Sequence, residues 1–124
     1  MQMIRVPAAA GGGDASIIVT CDYRAAAQPA KPYARAQLAS LSEKFTGFRL
    51  VSMSELTIDG VTAAVIDYEW SSTHDVLRQR QAFVPSSRCM FTLTLTGRAG
   101  GFPQLETAWN LVVESIRLRD TRNV

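Results

Sequence analysis

The chain has 124 residues, 47% of them hydrophobic, which suffices for one domain around a single core and leaves no room for a second. Thirteen basic against eleven acidic residues give a net charge of +2, a balance that argues against nucleic acid or an anionic membrane as the main partner. No apolar run approaches the roughly 18 residues of a membrane span, and the first residues lack the apolar stretch of a signal peptide, so the expectation is a soluble, cytoplasmic protein without direct membrane anchoring.

In chain order, Met1 to Val6 is a short strand candidate closed by Pro7. Residues 8–14, Ala-Ala-Ala-Gly-Gly-Gly-Asp, read as a flexible linker, because glycines have no ordering tendency and these alanines have nothing to pack on. No Gly-Lys-Ser/Thr follows, so this is not a phosphate-binding loop. Ser16 to Tyr23 is a strand stiffened by Ile17, Ile18 and Val19. Pro29 and Pro32 mark a loop and a helix start, and the spacing Ala34, Leu38, Leu41, Phe45 predicts a helix over Tyr33 to Phe45 that Gly47 ends.

Arg49 to Ile58 and Val61 to Ser71 are strands joined by Asp59-Gly60, a strong hairpin signal. Val76 to Val84 and Cys89 to Thr96 form a second hairpin across Pro85-Ser86-Ser87. Gly97 to Gly101 reads as a loop, after which Phe102, Leu105, Trp109, Val112, Val113 and Ile116 give the stripe of a second amphipathic helix. The tail beyond Ile116, residues 119–124 above all, should fray. The order β, β, α, β, β, β, β, α implies an α+β fold, one antiparallel sheet packed with two helices, in a single domain over residues 1–124.

Nothing in this pattern resembles a catalytic motif or a cofactor site. His74, the single histidine, lies between Thr73 and Asp75 in a polar connection, where a solvated loop histidine is expected and no nucleophile can be placed beside it. One histidine and two separated cysteines offer no metal-ligand spacing. Cys21 and Cys89 are expected to be thiols of a reducing compartment. Gly97-Arg98-Ala99-Gly100-Gly101 lacks the spacing of a dinucleotide fingerprint, and a crossing segment needs glycine for conformational reasons alone. Eleven of the 13 basic residues are arginine, which leans toward protein interfaces.

Gln79 and Gln81 stand out. They point to one face of a strand between Leu77 and Phe83, and an amide in an apolar row must be hydrogen-bonded or it costs about 1–3 kcal/mol. They are either structural, bonded to neighbouring side chains, or they line a half-apolar groove that meets a partner. Trp70 and Trp109 read as core aromatics. Thr92, Thr94 and Thr96 alternate with Phe91, Leu93 and Leu95, so their face is solvent surface or the floor of a concavity.

Phe45-Thr46-Gly47-Phe48-Arg49-Leu50, Ile58-Asp59-Gly60 with Tyr68-Glu69-Trp70, Gln79-Arg80-Gln81-Ala82-Phe83-Val84, Leu93-Thr94-Leu95-Thr96, and Phe102 with Trp109 and Glu114-Ser115-Ile116 together resemble the DcrB-like family. Within it, the pattern is most similar to the effector-associated (Eag) chaperones of type VI secretion, over residues 16–118. The resemblance implies a PsbP-like α/β sandwich and a non-enzymatic homodimer. Its curved sheets would cradle the apolar N-terminal transmembrane helices of a toxin effector before delivery, with a secretion spike protein as a further partner. The first strand looks cut down or missing relative to the family. Some relatives are envelope lipoproteins, yet no lipid-attachment cysteine opens this chain.

The groove candidates are Ile18, Ile66, Tyr68, Gln79, Gln81, Thr92 and Thr94, provided that strand register brings them to one face. Two other readings compete: a small-ligand or enzyme domain with a pocket between sheet and helices near His74 and Asp67, and an envelope protein of the same fold.

Overall fold

The computed structural model describes residues 2–6 and 15–116; the expected linker and the C-terminal tail lie outside them. Six strands form one sheet in the order β1-β2-β6-β5-β4-β3, every neighbouring pair antiparallel. These are β1 (Gln2–Val6), β2 (Ala15–Asp22), β3 (Arg49–Ile58), β4 (Val61–Ser71), β5 (Val76–Pro85) and β6 (Met90–Arg98). The first strand is thus present, as a five-residue edge paired with β2.

Helix α1 (Ala30–Lys44) packs on one face of β4 and β5. It begins three residues before the expected Tyr33, because Pro32 falls in the first turn, where its missing N–H has no partner to lose, and small Ala30 and Ala34 let the helix lie close to the sheet. The Tyr33 hydroxyl donates to Asp22 at 2.8 Å, tying α1 to the end of β2. Burial, reinforced by that carboxylate, pushes the phenol up to about 12. After Phe45, whose N–H caps Leu41, Gly47 turns the chain at φ +66°; a Cβ there would lie 2.7 Å from Ser71 Oγ.

The hairpin between β3 and β4 closes as the sequence demands: Asp59 and Gly60 both take positive φ, 49° and 81°, as a two-residue turn matched to strand twist requires. The second helix departs from expectation. The stripe from Phe102 to Ile116 is divided between a 3-10 segment (Ala99–Leu105) and helix α2 (Glu106–Ser115), and the anticipated Gly97 to Gly101 loop is divided between β6 and that segment. Pro103 removes an amide where an α-helix would need one, while three residues per turn still aim Phe102 and Leu105 inward. Gly97 makes room for this close approach, since a Cβ on it would meet Leu105 Cδ1 at 2.8 Å.

Each face of the sheet has its own core. Under α1 lie Ala64, Ile66, Tyr68, Phe83 and Met90; on the other face Ile17, Val65, Ala82, Val84, Leu93 and Leu95 of the sheet meet Phe102 of the 3-10 segment and Trp109 of α2. Full burial of such side chains contributes about 1.5–3 kcal/mol apiece.

Candidate functional site

Register decides which side chains meet. Across the sheet, Ile66, Gln81, Thr94 and Ile18 form one row of directly opposed residues, and Tyr68, Gln79, Thr96 and Ser16 the next. Thr92 stands one row over, opposite Phe83 and Thr20. All the groove candidates therefore project from the face that α1 partly covers.

They do not share one environment. Ile66 and Tyr68 are 0% exposed and Thr92 8%, so they flank the floor as closed neighbours. Ile18, Gln79, Gln81 and Thr94 are half-buried, since α1 packs chiefly on β4 and β5. On β6 the same face is met by a short 3-10 turn (Tyr23–Ala25) that follows β2 and buries Ala25 in the core under α1.

The amides belong to a relay of side-chain hydrogen bonds. The Tyr68 hydroxyl donates to Gln79 Oε1 and lies 3.2 Å from Gln81 Oε1; Gln79 Nε2 donates to Thr96 Oγ1 at 2.8 Å and Gln81 Nε2 to Thr94 Oγ1 at 3.1 Å. Burial pushes the Tyr68 phenol well above its ordinary range, so it stays protonated as a donor. Thr96 belongs to this relay although it is not among the groove candidates; its place in the threonine alternation is the available signal.

Along one side the floor is bordered by half-buried apolar side chains. Leu38, Leu41 and Phe45 come from α1, with Phe48 after it and Trp70 on β4; Phe45 and Trp70 stack with centroids 4.5 Å apart. Trp70 is therefore a rim aromatic rather than a fully enclosed one. The helix stripe that defined α1 in sequence already contained Leu38, Leu41 and Phe45, but not the fact that their outer edges stay open.

The opposite face is organised by charge. Asp67 accepts from Arg78 Nε at 2.7 Å and from Arg80 Nε at 3.0 Å, and Arg80 forks onto both Glu106 oxygens at 2.8 and 2.6 Å. Both guanidinium groups lie over Phe102, 4.7 and 5.4 Å from its centroid, and Arg80 also faces Trp109. These two arginines are spent inside the molecule, Arg78 holding the 3-10 segment and Arg80 both that segment and α2 to the sheet. Arg80 in turn holds the Glu106 carboxyl below its usual range.

An open cleft of about 420 Å³ lies between β3 and α2 beside this network, lined by Ser52, Ser54, Asp67, Arg80, Trp109 and Glu114 among others. His74 is not part of it; that residue sits in the exposed β4–β5 connection, while Asp67 is occupied by arginine. The structure thus does not bring together the His74–Asp67 pair on which an acid–base reading would depend. The described residues contain no cluster with metal-ligand composition and no helix long and apolar enough to cross a membrane.

The DcrB family model matches residues 1–115. The chain belongs to the DcrB family. A relative from Pseudomonas aeruginosa named effector EagT6 is 26% identical over 121 residues, covering 98% of this chain and 84% of that protein. The crystal structure of PA94, a Pseudomonas aeruginosa protein of unknown function, superposes with a TM-score of 0.84 at 25% identity, covering 94% of this chain and 81% of that one. The α+β class expected of a DcrB-like chain is therefore the observed one.

Proposed function

We propose that this DcrB-family protein is a non-enzymatic chaperone or adaptor of type VI secretion, which binds the apolar N-terminal transmembrane helices of a toxin effector and shields them in the cytoplasm until delivery. The observation that carries this reading is the half-covered face on which Gln79, Gln81 and Thr94 form a floor beside the apolar edges of Leu38, Leu41, Phe45 and Trp70. An apolar helix in water exposes a large area at about 25 cal/mol per Å², and an open apolar trough can cover part of it. The amides suit the task because they are already hydrogen-bonded at rest and keep spare donor and acceptor positions for a guest. The relative named effector EagT6 supports the same direction.

In this reading two copies pair as a homodimer, so that their open faces enclose a helix from two sides, and a spike protein receives the loaded complex. The cleft beside Asp67 favours the competing ligand-pocket reading less, since Arg78 and Arg80 already occupy that carboxylate.

The test is co-expression with a soluble fusion carrying two apolar helices of about 20 residues each. The parent should keep the fusion in the soluble fraction and copurify with it. Gln79→Ala combined with Gln81→Ala should weaken capture by about 1–3 kcal/mol with little change in the thermal melt. A folded double variant that captures as well as the parent would move the binding face elsewhere, and a parent that captures nothing would end the chaperone reading.

A further inference from the structure

Tyr68 has one proton to give and two amide oxygens facing it. Its hydroxyl is within hydrogen-bond reach of both Gln79 Oε1 and Gln81 Oε1, while the Nε2 atoms of the same amides face Thr96 and Thr94 hydroxyls. A phenol donates once, so the second amide oxygen would face only lone pairs. That conflict disappears when one amide turns over. Its NH₂ then donates to the phenol oxygen, its own oxygen accepts from the threonine hydroxyl, and every member of the relay is satisfied.

The consequence concerns the face offered to a guest. With the two amides opposed, each flank of the pair carries one oxygen and one NH₂, so a donor and an acceptor stand side by side both toward β4 and toward β6. Tyr68 reaches this position because it is directly opposite Gln79 in register and completely buried, where it has no surface of its own to offer a partner.

We infer that Tyr68 is a positioning residue which fixes the Gln79 and Gln81 amides in opposite orientations, and that the floor so built selects apolar helices bearing a carboxamide or hydroxyl side chain over purely aliphatic ones. This rests on the helix-capture reading above. A side chain that both donates and accepts, such as Asn, matches paired donor and acceptor sites, whereas a leucine at the same place leaves them facing hydrocarbon.

The experiment compares two lysine-flanked Leu/Ala peptides of about 20 residues, one with a central Asn, binding to the parent and to Tyr68→Phe in mild detergent. The parent should prefer the Asn peptide by about five-fold, the scale of one net hydrogen bond, and in Tyr68→Phe the affinity for the Asn peptide should fall to that for the aliphatic one, so that the preference is lost. In peptide-free samples of both proteins, exchange of the Gln79 and Gln81 side-chain amide protons, followed by NMR, should quicken in Tyr68→Phe. An undiminished preference in a folded Tyr68→Phe protein, or unchanged amide exchange, overturns the positioning role. Equal losses for both peptides overturn it too, since they would mark a general packing defect. A parent that binds neither peptide overturns the capture reading itself, and the inference falls with it.

Discussion

Removing the Asp67 carboxylate should cost far more stability than removing Glu106, although both bond to Arg80. The Asp67 side chain is 4% exposed and holds Arg78, itself 21% exposed, and Arg80, 13% exposed. In Asp67→Ala, Arg80 keeps its fork on Glu106, but Arg78 loses both of its charge-assisted bonds, 2.7 and 3.1 Å, and remains against Phe102 with only the cross-strand Glu69 carboxylate to offset its charge. Breaking a buried pair by removing one partner costs about 3–5 kcal/mol; the retained Arg80–Glu106 fork and the partial exposure of Arg78 place this case at about 2–4 kcal/mol. Glu106 is 47% exposed, so Glu106→Ala removes a solvent-screened pair and should cost about 1 kcal/mol or less. Urea unfolding followed by far-ultraviolet circular dichroism gives both values on one scale. If Glu106→Ala proves the more damaging, or Asp67→Ala costs less than about 1 kcal/mol, the buried carboxylate is not what clamps α2.

Glu106 also gives a pH signature. Its folded-state carboxyl is held low by Arg80, so its contribution is present above the ordinary glutamate range and is lost as pH falls through the lowered value; the stability gap between the parent and Glu106→Gln should hold from neutral pH down to about 4–5 and close below that, as urea midpoints across pH would record. Cys21 is exposed and Cys89 buried, so a thiol reagent should modify Cys21 promptly in the native protein and Cys89 only on unfolding; a count of no thiols under denaturing, non-reducing conditions would contradict a protein of a reducing compartment. Light scattering across a concentration series should give a homodimer mass, and a monomer persisting at tens of micromolar, taken here as roughly the range for a stable interface, would count against two faces closing on one helix.

Much of the fold was legible in the sequence because it depends on local physics. Period-two alternation located β3 and β4 to the residue, and Asp59-Gly60 announced their turn, since few residue pairs take positive φ twice in succession. The second helix was misread as continuous because Phe102, Leu105 and Trp109 satisfy three-residue and helical spacings alike. The breaker, Pro103, was in plain view, but which geometry it selects depends on how closely the segment packs on β6 at Gly97.

By itself, the sequence determined the element order, the faces of each strand, the two core stripes and the oddity of two glutamines among apolar residues. Only the tertiary structure decided how far each strand is offset from its neighbours, and therefore that Ile18 on β2 stands in line with Thr94, Gln81 and Ile66. It likewise decided that α1 packs chiefly over β4 and β5, which leaves Gln79 and Gln81 half-open while sealing Ile66 and Tyr68. The physical reason is the same in each case. Alternation is a property of a single strand, whereas register and coverage arise from contacts between residues far apart in the chain, and a slip by one residue would turn every one of these side chains to the other face.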